Sequence, residues 1–244
     1  ALPESLMDRM DRVGLPVLHA WGMTETSPIG TCASPRSWHT EETERHAIRL
    51  TQGTPAPGVE IRISDLTTGD EQPWDGEAFG EIHVRGPWVS SAYHGGVDPG
   101  RFTEDGWFRT GDVATMSADG FMKIVDRTKD VIKSGGEWIS SVELENALMA
   151  HPDVQEAAVI GLAHPRWSER PVAYVVPRAA AKGTLQVQTL LDFLRERVAA
   201  WWLPDEIRFI DEVPKTSVGK FDKKVLRANA APIRAEEGGP AAGA

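Results

Sequence analysis

The sequence contains one cysteine, Cys32, in 244 residues, so the chain cannot close a disulfide on itself. No apolar run approaches the ~20 residues that a bilayer-spanning helix needs. The first residues, ALPESLMDRMDR, carry charges where a secretory leader has an apolar stretch. These features fit a reducing cytoplasm, where the protein is expected. HExxH, CxxC and GxSxG are all missing, which removes the short signatures of zinc proteases, thiol redox centres and serine hydrolases. His151 and His164 each precede a proline and read as punctuation. Gly219-Lys220 invites a phosphate-loop reading, which fails: Pro214 stands where the first glycine belongs and Phe221 replaces the Ser/Thr.

Positive charge is also scarce. The formal net charge is −10, which argues against nonspecific nucleic-acid binding and against a basic membrane-surface protein. The imbalance is local: residues 1–126 carry 10 Lys+Arg against 20 Asp+Glu, whereas residues 127–244 carry 16 of each. A domain boundary is therefore expected near residue 126.

Hydrophobic patterning differs on the two sides of that boundary. Residues 1–14 read as a short helix ended by Gly14 and Pro16, and 17–20 as a buried strand leading into Trp21. Residues 34–50 are polar, a loop with some helix. Short alternating runs at 59–63 and 81–85, separated by Gly/Pro turns, predict a small antiparallel β-barrel or sandwich. Residues 113–116 and 121–125 flank Ala118-Asp119-Gly120 as a hairpin. Beyond Arg127, Ser140 and Glu143 form a capping box, followed by an apolar helix face of Leu144, Ala147 and Leu148. Strands are expected at 157–162, 172–176 and 207–210. A helix over 187–202 should carry Leu190, Leu194, Val198 and Trp201 on one stripe. The fold class is α+β. The domains expected are 1–126, 127–234 and a disordered tail at 235–244.

Several segments can carry chemistry. In Trp21-Gly22-Met23-Thr24-Glu25, an aromatic face adjoins a glycine that lets a ligand approach the backbone. Thr24 offers a hydroxyl to phosphate, and Glu25 a hard oxygen to Mg²⁺. The same residues also read as a strand end with a Thr-Glu helix cap. In Thr110-Gly111-Asp112, the carboxylate can accept both hydroxyls of a ribose, although TGD is also a common turn. Asp126-Arg127-Thr128-Lys129-Asp130 reads equally as a solvated turn between domains. Lys133-Ser134-Gly135-Gly136-Glu137-Trp138 places a cation by two glycines, or is a Gly-rich turn before the capped helix. In Pro214-Lys215-Thr216-Ser217-Val218-Gly219-Lys220, the last lysine is either a ligand cation or a solubilising charge.

Taken in order, these five segments resemble the adenylate-forming, AMP-binding enzymes. Within them, the run SGGEWISS at 134–141 resembles the medium- and long-chain fatty-acyl-CoA synthetases and the 3-methylmercaptopropionyl-CoA ligases. The resemblance implies the end of a large N-terminal domain, including the small β-barrel, followed by a compact α+β lid domain. It implies an acid–thiol ligase that uses a carboxylic acid, ATP, Mg²⁺ and coenzyme A, with a homodimer as an assembly the full-length enzymes allow. By the resemblance, Trp21 and Gly22 pack on adenine beside Met23, Thr24 meets the α-phosphate and Glu25 binds Mg²⁺. Asp112 and Arg127 hold the ribose. Lys129 is the hinge and, with Lys133 and Trp138, lies near the nucleotide. Ser134, Gly135 and Gly136 line the CoA tunnel, and Lys220 is the catalytic cation joining the carboxylate to the α-phosphate.

Two departures from the family pattern stand out. Trp21 occupies a position where the family usually has tyrosine. The family's upstream phosphate loop, of the type TSGTTGxPKG, has no counterpart in this sequence. The chain is accordingly expected to be a C-terminal fragment that does not catalyse ATP–pyrophosphate exchange by itself. Two alternatives remain: a ligase for another acid, aromatic or short-chain, and a nonenzymatic nucleotide-binding module. Binding alone would leave Glu25 and Lys220 without a purpose.

Overall fold

The computed structural model describes residues 4–217 and 219–233. The chain divides into two compact units between Lys129 and Asp130. The tail expected to be disordered lies outside the described residues.

The first unit begins with α1 (Glu4–Arg12), which ends before Gly14 in a left-handed conformation. Strands β1 (Ala20–Trp21) and β2 (Thr31–Cys32) follow, then α2 (Glu42–Leu50) and β3 (Thr54–Pro55). The strand expected at 17–20 is confined to its end, and Leu18 is exposed. β1, β2 and β3 form an antiparallel sheet in that order. A second antiparallel sheet follows as a meander: β4 (Glu60–Ser64), β5 (Phe79–Arg85), β6 (Phe108–Met116) and β7 (Met122–Arg127). Its alternating residues Ile61, Ile63, Ile82, Val84, Ala114 and Met116 build one core, which Trp21 and Phe108 complete. The expected barrel is therefore an open four-stranded sheet. β4 and β7 do not pair among the described residues, and the apolar face is covered by loop residues such as Met23, Tyr93 and Phe102. Gln52 ties β7 to the segment entering β3, donating its backbone N–H to Met122 O at 2.8 Å and accepting Ile124 N–H at its side-chain Oε1 at 2.5 Å.

The second unit contains β8 (Ile132–Ser134), β9 (Glu137–Ile139), α3 (Ser141–Met149), β10 (Val154–His164), β11 (Ser168–Pro177), α4 (Val187–Arg195), β12 (Glu206–Phe209) and α5 (Lys223–Asn229). The sheet order is β10-β11-β8-β9, with β12 parallel to β11 and the other pairs antiparallel. Ala157, Val159, Ala173 and Val175 face a core shared with Leu144, Leu148, Leu190 and Leu194 of α3 and α4. Ala158, Ile160, Val172 and Val176 face the other side, with Val213 and Leu226 of α5. A sheet buried on both faces explains why β10 and β11 read as continuous apolar runs rather than alternating ones.

The Ser140 half of the expected capping box forms, with Glu143 N–H donating to Ser140 Oγ at 3.0 Å. α4 is shorter than expected. Its last turn tightens, with Arg197 and Val198 N–H both donating to Leu194 O. Trp201 lies beyond the helix, in a short 3-10 turn over 200–202 entered through Ala199 at ψ 143°, where Trp202 packs on the core and Trp201 is left 44% exposed.

Candidate functional site

The turn after β1 is fixed by its own backbone. A Cβ on Gly22 would sit 1.8 Å from Pro28 O, so the returning chain admits only glycine there. Thr26, fully buried, accepts Met23 N–H at 2.9 Å and donates to Pro28 O at 2.8 Å. Thr24 is left exposed at the start of a short 3-10 turn. Glu25 is anchored twice: Ser90 N–H donates to its carbonyl at 2.8 Å, and Tyr93 O–H donates to Oε1 at 2.6 Å. The hydrogen bond to Glu25 raises the Tyr93 phenol above its ordinary pKa.

Thr110, Gly111 and Asp112 form a bulge in β6. Glu81 pairs with Val113 and His83 with Arg109, so these three residues on β6 face only Ile82 on β5. Such an irregularity re-aims side chains next to it. Gly111 takes φ 77°, a left-handed conformation that suits glycine. The bulge is held by Thr110 O–H to Ile82 O (2.8 Å), Gly111 N–H to Glu81 Oε1 (3.0 Å) and Arg101 Nη2 to Thr110 O (2.9 Å). Burial works against the charge on Glu81. The His83 hydrogen bond and charge, the Gly111 amide and Arg109 outweigh it and hold the carboxyl below its usual range.

The bulge turns Asp112 toward two partners. Trp21 Nε1 donates to Asp112 Oδ2 at 2.8 Å across 91 positions of sequence. Arg127, the cross-strand partner on β7, holds its Nε 3.5 Å from Oδ1. Three residues expected to share a function therefore meet within the first unit. Trp21 is only 8% exposed, with Gly30 packed so closely that a Cβ would lie 2.4 Å from its ring. Lys129 follows as an exposed residue, just after Thr128 N–H donates to Gly111 O at 2.9 Å.

In the second unit, Ser134 pairs with Glu137 around Gly135 (φ 62°) and Gly136 (φ 93°). Two successive positive φ angles make this a tight hairpin turn between β8 and β9. The hairpin is pinned by Lys133 N–H to Glu169 Oε2 (3.0 Å), Arg170 Nη1 to Ser134 Oγ (3.0 Å) and Gly135 N–H to Trp167 O (2.9 Å). Ser134 is buried and its hydroxyl is engaged by Arg170, whereas Gly136 is exposed. Lys133 Nζ lies 5.0 Å over the Trp138 ring.

Lys220 closes a turn in which Thr216 N–H donates to Lys220 O at 2.7 Å, and its side chain is exposed. Lys215 differs: its ammonium pairs with Glu156 at 2.7 Å, and that bond raises its pKa. Lys220 has no ion-pair partner among the described residues.

Tyr93, Glu81 and Arg101 were not found by sequence reasoning. They act through contacts distant in sequence, and no short motif announces them. The Gly135-Gly136 hairpin did leave a signal, a Gly-Gly pair between two short apolar-containing runs.

The profile described as AMP-binding enzyme matches residues 1–94, and that described as AMP-binding enzyme C-terminal domain matches residues 143–220. A long-chain-fatty-acid–CoA ligase of Thermus thermophilus is 46% identical over 232 residues, covering 93% of this chain and 42% of the relative. A 3-methylmercaptopropionyl-CoA ligase of Ruegeria lacuscaerulensis is 44% identical over 227 residues, covering 92% of this chain and 41% of the relative. Among solved structures, o-succinylbenzoate CoA synthetase of Bacillus subtilis, in complex with its acyl-adenylate intermediate, aligns with a TM-score of 0.78 at 30% identity. That alignment covers 95% of this chain and 45% of the other. The chain thus spans about two fifths of the length of these curated relatives, 42% and 41%.

Proposed function

The chain belongs to the AMP-binding enzyme family, and from that premise we propose that it is part of an ATP-dependent acyl-CoA ligase acting on a fatty acid. In the proposed reaction a carboxylate oxygen attacks the α-phosphorus of ATP, pyrophosphate leaves, and an acyl-adenylate forms. The thiol of coenzyme A then attacks the acyl carbon and AMP leaves.

The observation that carries this reading is the meeting of Trp21, Asp112 and Arg127 in one site. Asp112 presents a carboxylate for the ribose hydroxyls, beside a guanidinium that is half exposed. Thr24, exposed at the start of its turn, donates its hydroxyl to the α-phosphate, and Gly22 and Met23 border the adenine. Lys220 supplies the cation that draws two anions together in the first step. In the second step, Gly135 and Gly136 offer backbone without side chains to the pantetheine arm, next to Ser134. Lys133 and Trp138 approach the nucleotide, and Lys129 is the pivot between the two steps.

Mg²⁺ suits this donor set. No group of three or more His, Cys, Asp or Glu that could hold a metal occurs among the described residues. Mg²⁺ needs no such cage: it keeps several waters and takes one or two carboxylates plus phosphate oxygens. Glu25, held by Tyr93, is the carboxylate that would bind it, and the ion would neutralise phosphate charge there.

The test is calorimetric titration of the protein with AMP and with 2′,3′-dideoxy-AMP. The expected result is AMP binding about tenfold or more tighter, because hydrogen bonds to a carboxylate are lost in the analogue. Equal affinity, or binding of neither, would refute the nucleotide reading.

A further inference from the structure

Asp112 and Arg127 face each other across β6 and β7. A carboxylate and a guanidinium so placed tend to close into a two-pronged pair, N–H to oxygen twice. Such a pair would occupy both oxygens and leave the ribose with a poor acceptor. Here the pair does not close: its nearest approach is Nε, 3.5 Å from Oδ1. Oδ2 is instead held at 2.8 Å by the Trp21 indole.

We infer that Trp21 is a positioning residue, whose indole N–H holds one oxygen of Asp112 and so keeps the carboxylate open to the two hydroxyls of a ribose. The proposal rests on the nucleotide reading above and changes the part Trp21 plays in it. The residue is 8% exposed and Gly30 packs against one side of its ring, which fixes the indole in place. It is fixed in the same core as Phe108 and Ala114, which flank the bulge on β6. An indole nitrogen is a donor only. It therefore cannot compete with Asp112 as an acceptor for ribose hydroxyls. Tyrosine, which the family more often has here, can both donate and accept.

The experiment compares Trp21→Phe with the unsubstituted protein, using AMP and 2′,3′-dideoxy-AMP as probes. Phenylalanine keeps an aromatic ring in the core and removes the N–H. The expected result is that AMP affinity falls about tenfold while affinity for the dideoxy analogue stays the same. Retention of the AMP preference in a folded Trp21→Phe protein would overturn the positioning role and leave the nucleotide reading intact. Equal losses for both probes would also overturn it, since they mark general damage to the site. Failure of the unsubstituted protein to distinguish the probes sinks the nucleotide reading and this proposal together.

A second measurement does not depend on Trp21→Phe folding. In the unsubstituted protein the Trp21 indole N–H should exchange slowly with solvent and give a shifted nitrogen–proton resonance. Asp112→Ala should abolish both signs, and an unchanged indole signal would contradict the hydrogen bond.

Discussion

The two units carry their candidate residues in opposite ways. In the first, the two candidate carboxylates are each held by another side chain, and a third carboxylate holds the backbone of the bulge. Asp112 is fixed by Trp21, Glu25 by Tyr93, and the Gly111 amide by Glu81. In the second, the main candidate cation, Lys220, is exposed at the end of a turn, and only its backbone is tied down. Preorganisation suits groups that must bind a nucleotide with defined geometry. A long, solvated lysine suits a group that acts in one step and withdraws in the other. The charge distribution matches this contrast: the net negative charge lies in residues 1–126, and the remainder of the chain is balanced.

The largest effect should come from the exposed side of this comparison. In a chimera joining this chain to the preceding half of the Thermus thermophilus ligase, Lys220→Ala should lower adenylate formation about 10²–10³-fold. Conversion of supplied acyl-adenylate to thioester should change by no more than a few-fold. Stopped assays of pyrophosphate release and thioester yield separate the two steps, and unimpaired adenylation would remove Lys220 from the chemistry.

A smaller effect should come from the tethered side. The Glu81 carboxyl is held below its ordinary value. Its contribution to stability is thus present above the unfolded carboxylate pKa of about 4.5 and is lost as pH falls through the lower folded value. Thermal unfolding of the first unit should weaken over that acid range. Glu81→Gln should flatten this part of the profile, whereas an unchanged profile would show that Glu81 does not hold the bulge by charge. The smallest effect lies in the second unit. Ser168 takes φ 70° at the start of β11, a conformation that costs a non-glycine residue about 1 kcal/mol. Ser168→Gly should raise stability by about that amount in denaturant titration.

Local structure was legible where a residue's neighbours in sequence decide its environment. The Ser140 cap, the strands β4 and β5, the β6–β7 hairpin and the apolar strands β10 and β11 follow from spacing alone. The barrel did not form because sheet closure depends on strand pairing at the edges, which alternation does not encode. The stripe failed at Trp201 because α4 ends at Arg195 and the chain passes through Ala199, at ψ 143°, into a separate 3-10 turn. The site residues were legible as motifs, but their supports were not. Nothing near Trp21 in sequence signals Asp112, and nothing near Glu25 signals Tyr93. The burial of the indole follows from Gly30 and the core, not from the motif.

The hairpin at Gly135-Gly136 resembles a loose surface loop in composition only. Its backbone or side chains are pinned at Lys133, Ser134 and Gly135 to three successive parts of the chain: Trp167, Glu169 and Arg170. Arg170 is itself fastened to Asp205, Trp201 O and Leu203 O. Freeing the tip therefore requires opening the edge of the sheet around it, a subglobal event rather than local fraying. Amide exchange at the hairpin should therefore follow the opening of the sheet edge that holds it rather than that of a free loop.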